Sequence, residues 1–279
     1  MKKVILFACL LGFGSLMSCE NDADPTNQTS LNGSAVKGNV VGAKVDVYAY
    51  SSNGERGELL QSTTTNAKGA FDISMNYRGP VEIIVKQGEY FDEATGEPVS
   101  LGNNELRVIT QADEGSQTVG VSALTTVAAS YVDAHASGGL EIAIKEANEK
   151  VANAFGLEGI DISKEIPADL SVESGSMTEA QAKYGAIQAG LSQLVKDQDL
   201  SPDQLLILVK EISKDFSDGK IDGKTATGTL EITLTLAPVQ AMVGLNTAIS
   251  NFLSSSENVS SQSSVTVGVN IPNPTSQGE

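Results

Sequence analysis

The chain has 279 residues and a formal net charge of −17, with 18 Lys+Arg against 35 Asp+Glu, no Trp and 5% aromatics. So acidic a surface repels nucleic acid and anionic headgroups, which need cationic patches, and no Lys/Arg cluster stands out after the first residues. The scarcity of aromatic platforms argues against a glycan-binding face, and the length leaves room for about two domains of ordinary size.

Lys2 and Lys3 open the chain, and residues 4–14 (VILFACLLGFG) are uncharged and largely apolar. This is the n-region and h-region pattern of a secretory signal. The stretch 4–18 falls short of the ~20 apolar residues that cross a bilayer. It closes on Leu16-Met17-Ser18-Cys19, which resembles a bacterial lipobox. The resemblance implies that the Cys19 thiol receives a diacylglyceryl group, that the Ser18-Cys19 bond is cut, and that Cys19 becomes the amino terminus. Cys9 would leave with the leader 1–18 and no Cys follows Cys19, so no disulfide and no thiolate metal site would remain. Acyl chains contribute ~0.8 kcal/mol per buried methylene to membrane anchoring. The alternative is an ordinary signal peptide cut nearby, leaving Cys19 free. Glu20 follows the Cys where Asp would favour inner-membrane retention in enteric-type sorting, so the outer membrane is the expected location.

Residues 19–33 are polar, with Pro25 and several Asn, and read as a flexible tether. From 34 to 118 the pattern has period two. Val45, Val47 and Ala49 alternate with Asp46, Tyr48 and Tyr50, and Phe71, Ile73 and Met75 with Asp72, Ser74 and Asn76. Val81, Ile83 and Val85 follow, then Leu106 and Val108. Turn residues separate them at 52–54, 66–69 and 78–80. The expected fold is an antiparallel β-sandwich with each sheet wet on one face. "VKGNVVGAKVDVYAY", "STTTNAKGAFDISM" and "GPVEIIVKQG" resemble a carboxypeptidase-regulatory or transthyretin-like β-sandwich over residues 34–90. That resemblance implies a scaffold or spacer and brings no catalytic residues. In the loop 89–104, Tyr90 and Phe91 stand beside Asp92, Glu93 and Glu97, a set able to grip a cation or a cationic peptide. The preferred reading is a surface loop whose aromatics cap the sandwich.

Over 119–256 the period becomes helical. Leu124, Val127, Ala128, Tyr131 and Val132 form one stripe. Leu140, Ile144, Ala147, Val151 and Phe155 form another, stopped by Gly156. A connector over 157–177 leads to a capping box, Thr178 with Gln181, and a helix carrying Tyr184, Ile187, Leu191 and Leu194. Ser201-Pro202-Asp203-Gln204 reads as the next helix start, with Leu205, Leu208, Val209, Ile212 and Phe216 behind it. Pro238 opens a last helix with Met242, Leu245, Ile249 and Phe252. Together these predict an α-helical bundle of about four or five members. "VSALTTVAASYV", "ANEKVANAFGL" and "DFSDGKIDG" resemble a loosely defined group of bacterial surface lipoproteins in which such a sandwich precedes a helical domain; no activity comes with it. Residues 229–236 (TLEITLTL) read as a strand or as part of the last helix. Residues 257–279 read as a C-terminal strand, at 265–271, and a disordered tail.

Little chemistry is spelled out. Setting Gly219 sixth in an EF-hand loop over 214–225 puts Asp218 fifth and Asp222 ninth. It also puts Lys214, Phe216 and Thr225 first, third and twelfth, where oxygen ligands belong. A helix end and a turn is the preferred reading. His135 is the single histidine, which removes a His-rich zinc site, and no Gly-x-Ser-x-Gly elbow accompanies it. Neither a phosphate loop nor a dinucleotide glycine motif occurs. The expectation is a non-enzymatic, membrane-anchored envelope lipoprotein with a display, adhesion or binding role. Its cofactors are none, and its partner would be another envelope protein or a surface ligand. The alternatives are a periplasm-facing ligand-binding or accessory subunit of a membrane complex and, more distantly, a hydrolase using two carboxylates.

Overall fold

In the computed structural model, which describes residues 28–173, 175–262 and 265–270, the alternating runs become strands and the striped runs become helices. The leader with Ser18 and Cys19, and the chain from 271 onward, lie outside the described residues. Nine strands come first: β1 (Thr29–Val36), β2 (Lys44–Tyr50), β3 (Arg56–Thr64), β4 (Ala70–Met75), β5 (Gly79–Lys86), β6 (Glu89–Phe91), β7 (Pro98–Ser100), β8 (Glu105–Ala112) and β9 (Gly115–Ser122). Helices α1 (Ala123–His135), α2 (Leu140–Ala154), α3 (Glu179–Asp197) and α4 (Gln204–Asp215) follow. A small hairpin, β10 (Lys224–Thr225) with β11 (Gly228–Thr229), precedes α5 (Pro238–Leu253). The protein is thus of mixed α and β content, with its helices mostly in the C-terminal half.

One sheet has the order β3-β2-β5-β8 and is antiparallel throughout; another has the order β4-β1-β9. Leu31, Phe71, Ile73, Val119 and Val121 of the second sheet share one apolar cluster with Val45, Val47, Val81, Ile83, Leu106 and Val108 of the first. The expectation of a wholly antiparallel arrangement needs correcting, because β1 runs parallel to β9. Only Asp113 and Glu114 separate β8 from β9, yet the two strands lie in different sheets. The chain therefore crosses between sheets at that corner and arrives beside β1 running the same way.

The expected wet outer face is also partly covered. Glu82 and Ile84 of β5 are as buried as Val81, Ile83 and Val85. Tyr50 and Ile109, on the outer side of the first sheet, belong to the helical core. A strand buried on both faces loses its alternation, as "VEIIV" does.

Two boundaries differ from the expected ones. β1 begins at Thr29, inside the segment 19–33 read as a tether. Leu31 is buried opposite Ile73, and the Thr29 hydroxyl lies between the carbonyl oxygens of Tyr77 (2.8 Å) and Asp113 (2.9 Å). The strand is hard to see because its side chains are small and polar. Gly33 has a reason to lack one: a Cβ there would stand 2.1 Å from the Phe71 ring. The boundary between 118 and 119 falls within β9. No linker follows, since Ser122 ends the strand and caps α1 in a box with Thr125.

The helical stripes pack as expected, with Leu124, Val127, Tyr131, Leu140, Val151, Tyr184, Leu191, Leu208, Leu245 and Phe252 in one cluster. The Thr178–Gln181 box forms. Gln204 reaches back to the Ser201 N–H at 3.0 Å, but α4 starts only at Gln204, after a turn through Pro202.

Residues 230–236 are neither strand nor helix. Leu234 and Leu236 enter the core, and the buried Glu211 carboxylate accepts from Thr233 N–H and Oγ1 (both 2.6 Å) and Leu234 N–H (3.3 Å). Likewise residues 265–270 join no ladder. The Asn246 side chain plays the neighbouring strand, accepting from Val269 N–H at 2.9 Å. In both places a side chain supplies what a strand would have supplied.

Candidate functional site

The loop 89–104 does hold a cation, and it belongs to the same chain. Tyr90, Asp92 and Glu93 are buried, while Phe91 is 61% exposed. Lys37, which follows β1, is fully buried and ion-paired to Glu93. Its ammonium also donates to Ser192 Oγ (2.7 Å) and to the Gln188 carbonyl (3.2 Å), and lies 5.7 Å from the Tyr90 ring centre. All three ammonium protons thus have acceptors. Glu93 Oε1 accepts from Gly38 N–H at 2.9 Å. Ser192 of α3 has one proton to give, with Asp92 Oδ2 at 2.5 Å and Glu93 Oε2 at 2.8 Å. Asp92 Oδ1 accepts from Ala94 N–H, Thr95 N–H and Thr95 Oγ1, each at 3.1 Å. Burial raises the Tyr90 phenol above its ordinary range, and Asp92 and Glu93 push it further. The arrangement fastens loop 89–97 to α3 and turns Asp92 and Glu93 inward to partners of the same chain, while Glu97 is exposed.

In the segment 214–225 the carboxylates serve the backbone. Asp218 accepts from Lys220 N–H (3.0 Å) and Asp222 from Lys224 N–H (3.1 Å). Gly219 has φ +88, a left-handed helix stop. The residue that organises the loop is one the sequence reading passed over. Asp215 is buried and accepts from Asp222 N–H (3.1 Å) and Gly223 N–H (2.9 Å). Burial lifts its carboxyl to about 6, against the opposing pull of those backbone donors. Among the described residues no group of three or more His, Cys, Asp or Glu side chains could hold a metal ion. His135 stacks on Tyr131 with ring centres 3.9 Å apart, and its Nδ1 lies 2.9 Å from the Tyr131 carbonyl oxygen. Asp133 turns elsewhere.

That elsewhere is a charged seam between the first sheet and α1. Glu82, buried on β5, lies between Arg56 (2.7 Å) and Arg107 (2.5 Å). Arg107 also forks onto Asp133 of α1 at 3.0 and 3.1 Å, and the Tyr50 hydroxyl donates to the same carboxylate. Burial works against the Arg107 charge, but Asp133 and Glu82 outweigh it and raise its pKa. Burial, then the bond to Asp133, raises the Tyr50 phenol.

Beside this seam, where β8, α1 and α4 meet, opens a cavity of 380 Å³ lined by Asn103, Asn104, Arg107, Ser130, Lys210 and Lys214 among others. The sequence held no signal for it. Lys210 and Lys214 share α4, but Arg107 comes from β8, far away in the chain, and only the tertiary packing sets it beside them. Ser18 and Cys19, the candidate cleavage and acylation residues, lie outside the described residues. No helix among the described residues is long and apolar enough to cross a membrane.

No protein-family model matches the chain, and no curated protein matches it. Among solved structures it is similar to a 9R-lipoxygenase from Cyanothece PCC8801, at 10% identity over 70% of this chain and 25% of that one, with a TM-score of 0.23. The chain spans about a quarter of that protein's length, and a likeness so weak bears on neither fold nor chemistry.

Proposed function

We propose that the protein is an envelope lipoprotein, tethered to the outer membrane through acylated Cys19, whose body serves display, adhesion or binding and not catalysis. The observation that carries this is the sequence Leu16-Met17-Ser18-Cys19 after an apolar run and before a body without cysteine. Since β1 starts at Thr29, residues 20–28 separate the anchor from the first strand. Such a stretch reaches at most about 30 Å, which would keep the body near the headgroups. The shared apolar cluster between the two sheets supports the transthyretin-like sandwich reading, and a sandwich of that kind suits a scaffold. A non-catalytic role draws support from the buried acids Asp46, Glu82, Asp92, Glu93, Asp215 and Glu211, each engaged by donors of its own chain.

Intact-mass measurement of the purified protein tests the proposal. The expected result is an amino terminus at Cys19 carrying a diacylglyceryl group, with Cys19→Ala abolishing membrane association. An unmodified terminus at any other residue would overturn it. A periplasm-facing ligand-binding subunit is the second reading, favoured by the cation-lined cavity. Protease treatment of intact cells separates the two, because only an outward-facing body is removed.

A further inference from the structure

We infer that the cavity between β8, α1 and α4 is an anion site that takes a phosphate monoester or diester, with Lys210 and Lys214 supplying the charge. Acids outnumber bases 35 to 18, yet the charged lining of this cavity is mostly cationic: Lys210, Lys214 and Arg107 against one carboxylate, Glu105. Lys210 and Lys214 stand four residues apart on α4, both exposed, and neither pairs with a carboxylate among the described residues. Like charges at that spacing repel, so the pair costs stability unless an anion sits between them. Neighbouring ammonium groups straddle an oxyanion as point charges, which is how lysine binds phosphate.

The walls supply neutral donors. The half-buried Ser130 hydroxyl makes no hydrogen bond within the described residues, and the Asn103 and Asn104 amides line the same space. Arg107 closes one wall with its guanidinium already on Glu82 and Asp133. Glu105, also at the cavity, lies 3.7 Å from Arg56. The volume of 380 Å³ is within the range that encloses small ligands. The phosphate ester could be a free metabolite or the headgroup of a phospholipid, and the acidity of the whole chain leaves this as a local site only.

The experiment uses the full-length protein reconstituted in phosphatidylcholine nanodiscs. In one arm glycerol 3-phosphate is titrated calorimetrically. In the other, discs containing phosphatidylglycerol replace the neutral ones and hydrogen exchange of α4 is measured. Saturable heat in the first arm identifies a free ester; protection of α4 only in the second identifies a headgroup. In whichever arm responds, Lys210→Gln/Lys214→Gln should weaken binding at least about tenfold, and raising the salt should weaken it as screening requires. Lys220→Gln, in a different cavity, should leave it unchanged. No response in either arm, or a double variant that binds like the parent, overturns the inference. The titration does not depend on acylation: should Cys19 prove unmodified, the calorimetric arm still runs on the same protein in solution.

Discussion

Asp215 and Asp46 pull the stability of this protein in opposite directions with pH. Burial raises the Asp215 carboxyl from 3.8 to about 6. A raised acid is a stabilising contribution present in full below its unfolded value and lost as pH rises through 6. Asp215→Asn can keep the bonds that Oδ1 accepts. It should therefore stabilise the protein by about 1–2 kcal/mol at pH 7.5, allowing for the solvent that reaches the loop, and do little at pH 4; urea midpoints at the two pH values check this. At Asp46 burial opposes the charge, but hydrogen bonds from Ser62, Lys86 and Lys44 outweigh it and hold the carboxyl at about 2. Its contribution is present above 3.8 and is lost as pH falls toward 2, so Asp46→Asn should flatten the acid limb of the stability profile. Lys37 acts on stability through its buried ion pair with Glu93. Lys37→Met leaves Glu93 buried without its cation and should cost about 3–5 kcal/mol. Lys37→Met/Glu93→Leu should recover a large part of that, and a thermal-denaturation cycle of the single and double variants measures the coupling.

The two C-terminal runs expected as strands departed from expectation where a side chain replaced a backbone partner. The alternation of residues 229–236 is real, yet the Glu211 carboxylate meets the N–H groups that a ladder would have met. Glu211→Ala should cost about 1 kcal/mol, because of its three donors only the Leu234 N–H belongs to a buried residue. It should also open 230–236 to hydrogen exchange and proteolysis while α4 stays protected. If the segment keeps its protection, its burial rests on Leu234 and Leu236 alone. The helices were the more legible elements. Their stripes and the Thr178–Gln181 box act within a few residues of chain, and a window of sequence contains all the partners. β1 was the least legible. Its Ser, Asn and Gly residues resemble a tether until Ile73 and Phe71 of β4 are placed beside them.

For the molecule as a whole, the β and helical parts are joined by more than the chain. Lys37 and Glu93 meet Ser192 of α3, Arg107 meets Asp133 of α1, and α1 begins at the residue where β9 ends. Leu206 of α4 sits in the β core, and Tyr50 and Ile109 sit in the helical core. Thermal unfolding should therefore follow one transition, with near-ultraviolet circular dichroism and hydrogen exchange of both parts losing structure together. Two separated transitions would show that the two cores are energetically independent.

By itself the sequence determined the order of strands before helices, the inward residues of most strands and the stripes of the helices. Each follows from periodicity or from groups a few residues apart, so nearness in sequence is enough. Only the tertiary structure decided that Lys37 neutralises Glu93, that Glu211 and Asn246 satisfy segments that look like strands, and that Lys210 and Lys214 share a cavity with Arg107. Those outcomes depend on which distant groups are brought together once apolar surfaces are buried. Charge and hydrogen-bond demand are then met by whatever lies nearest in space, which no window along the chain contains.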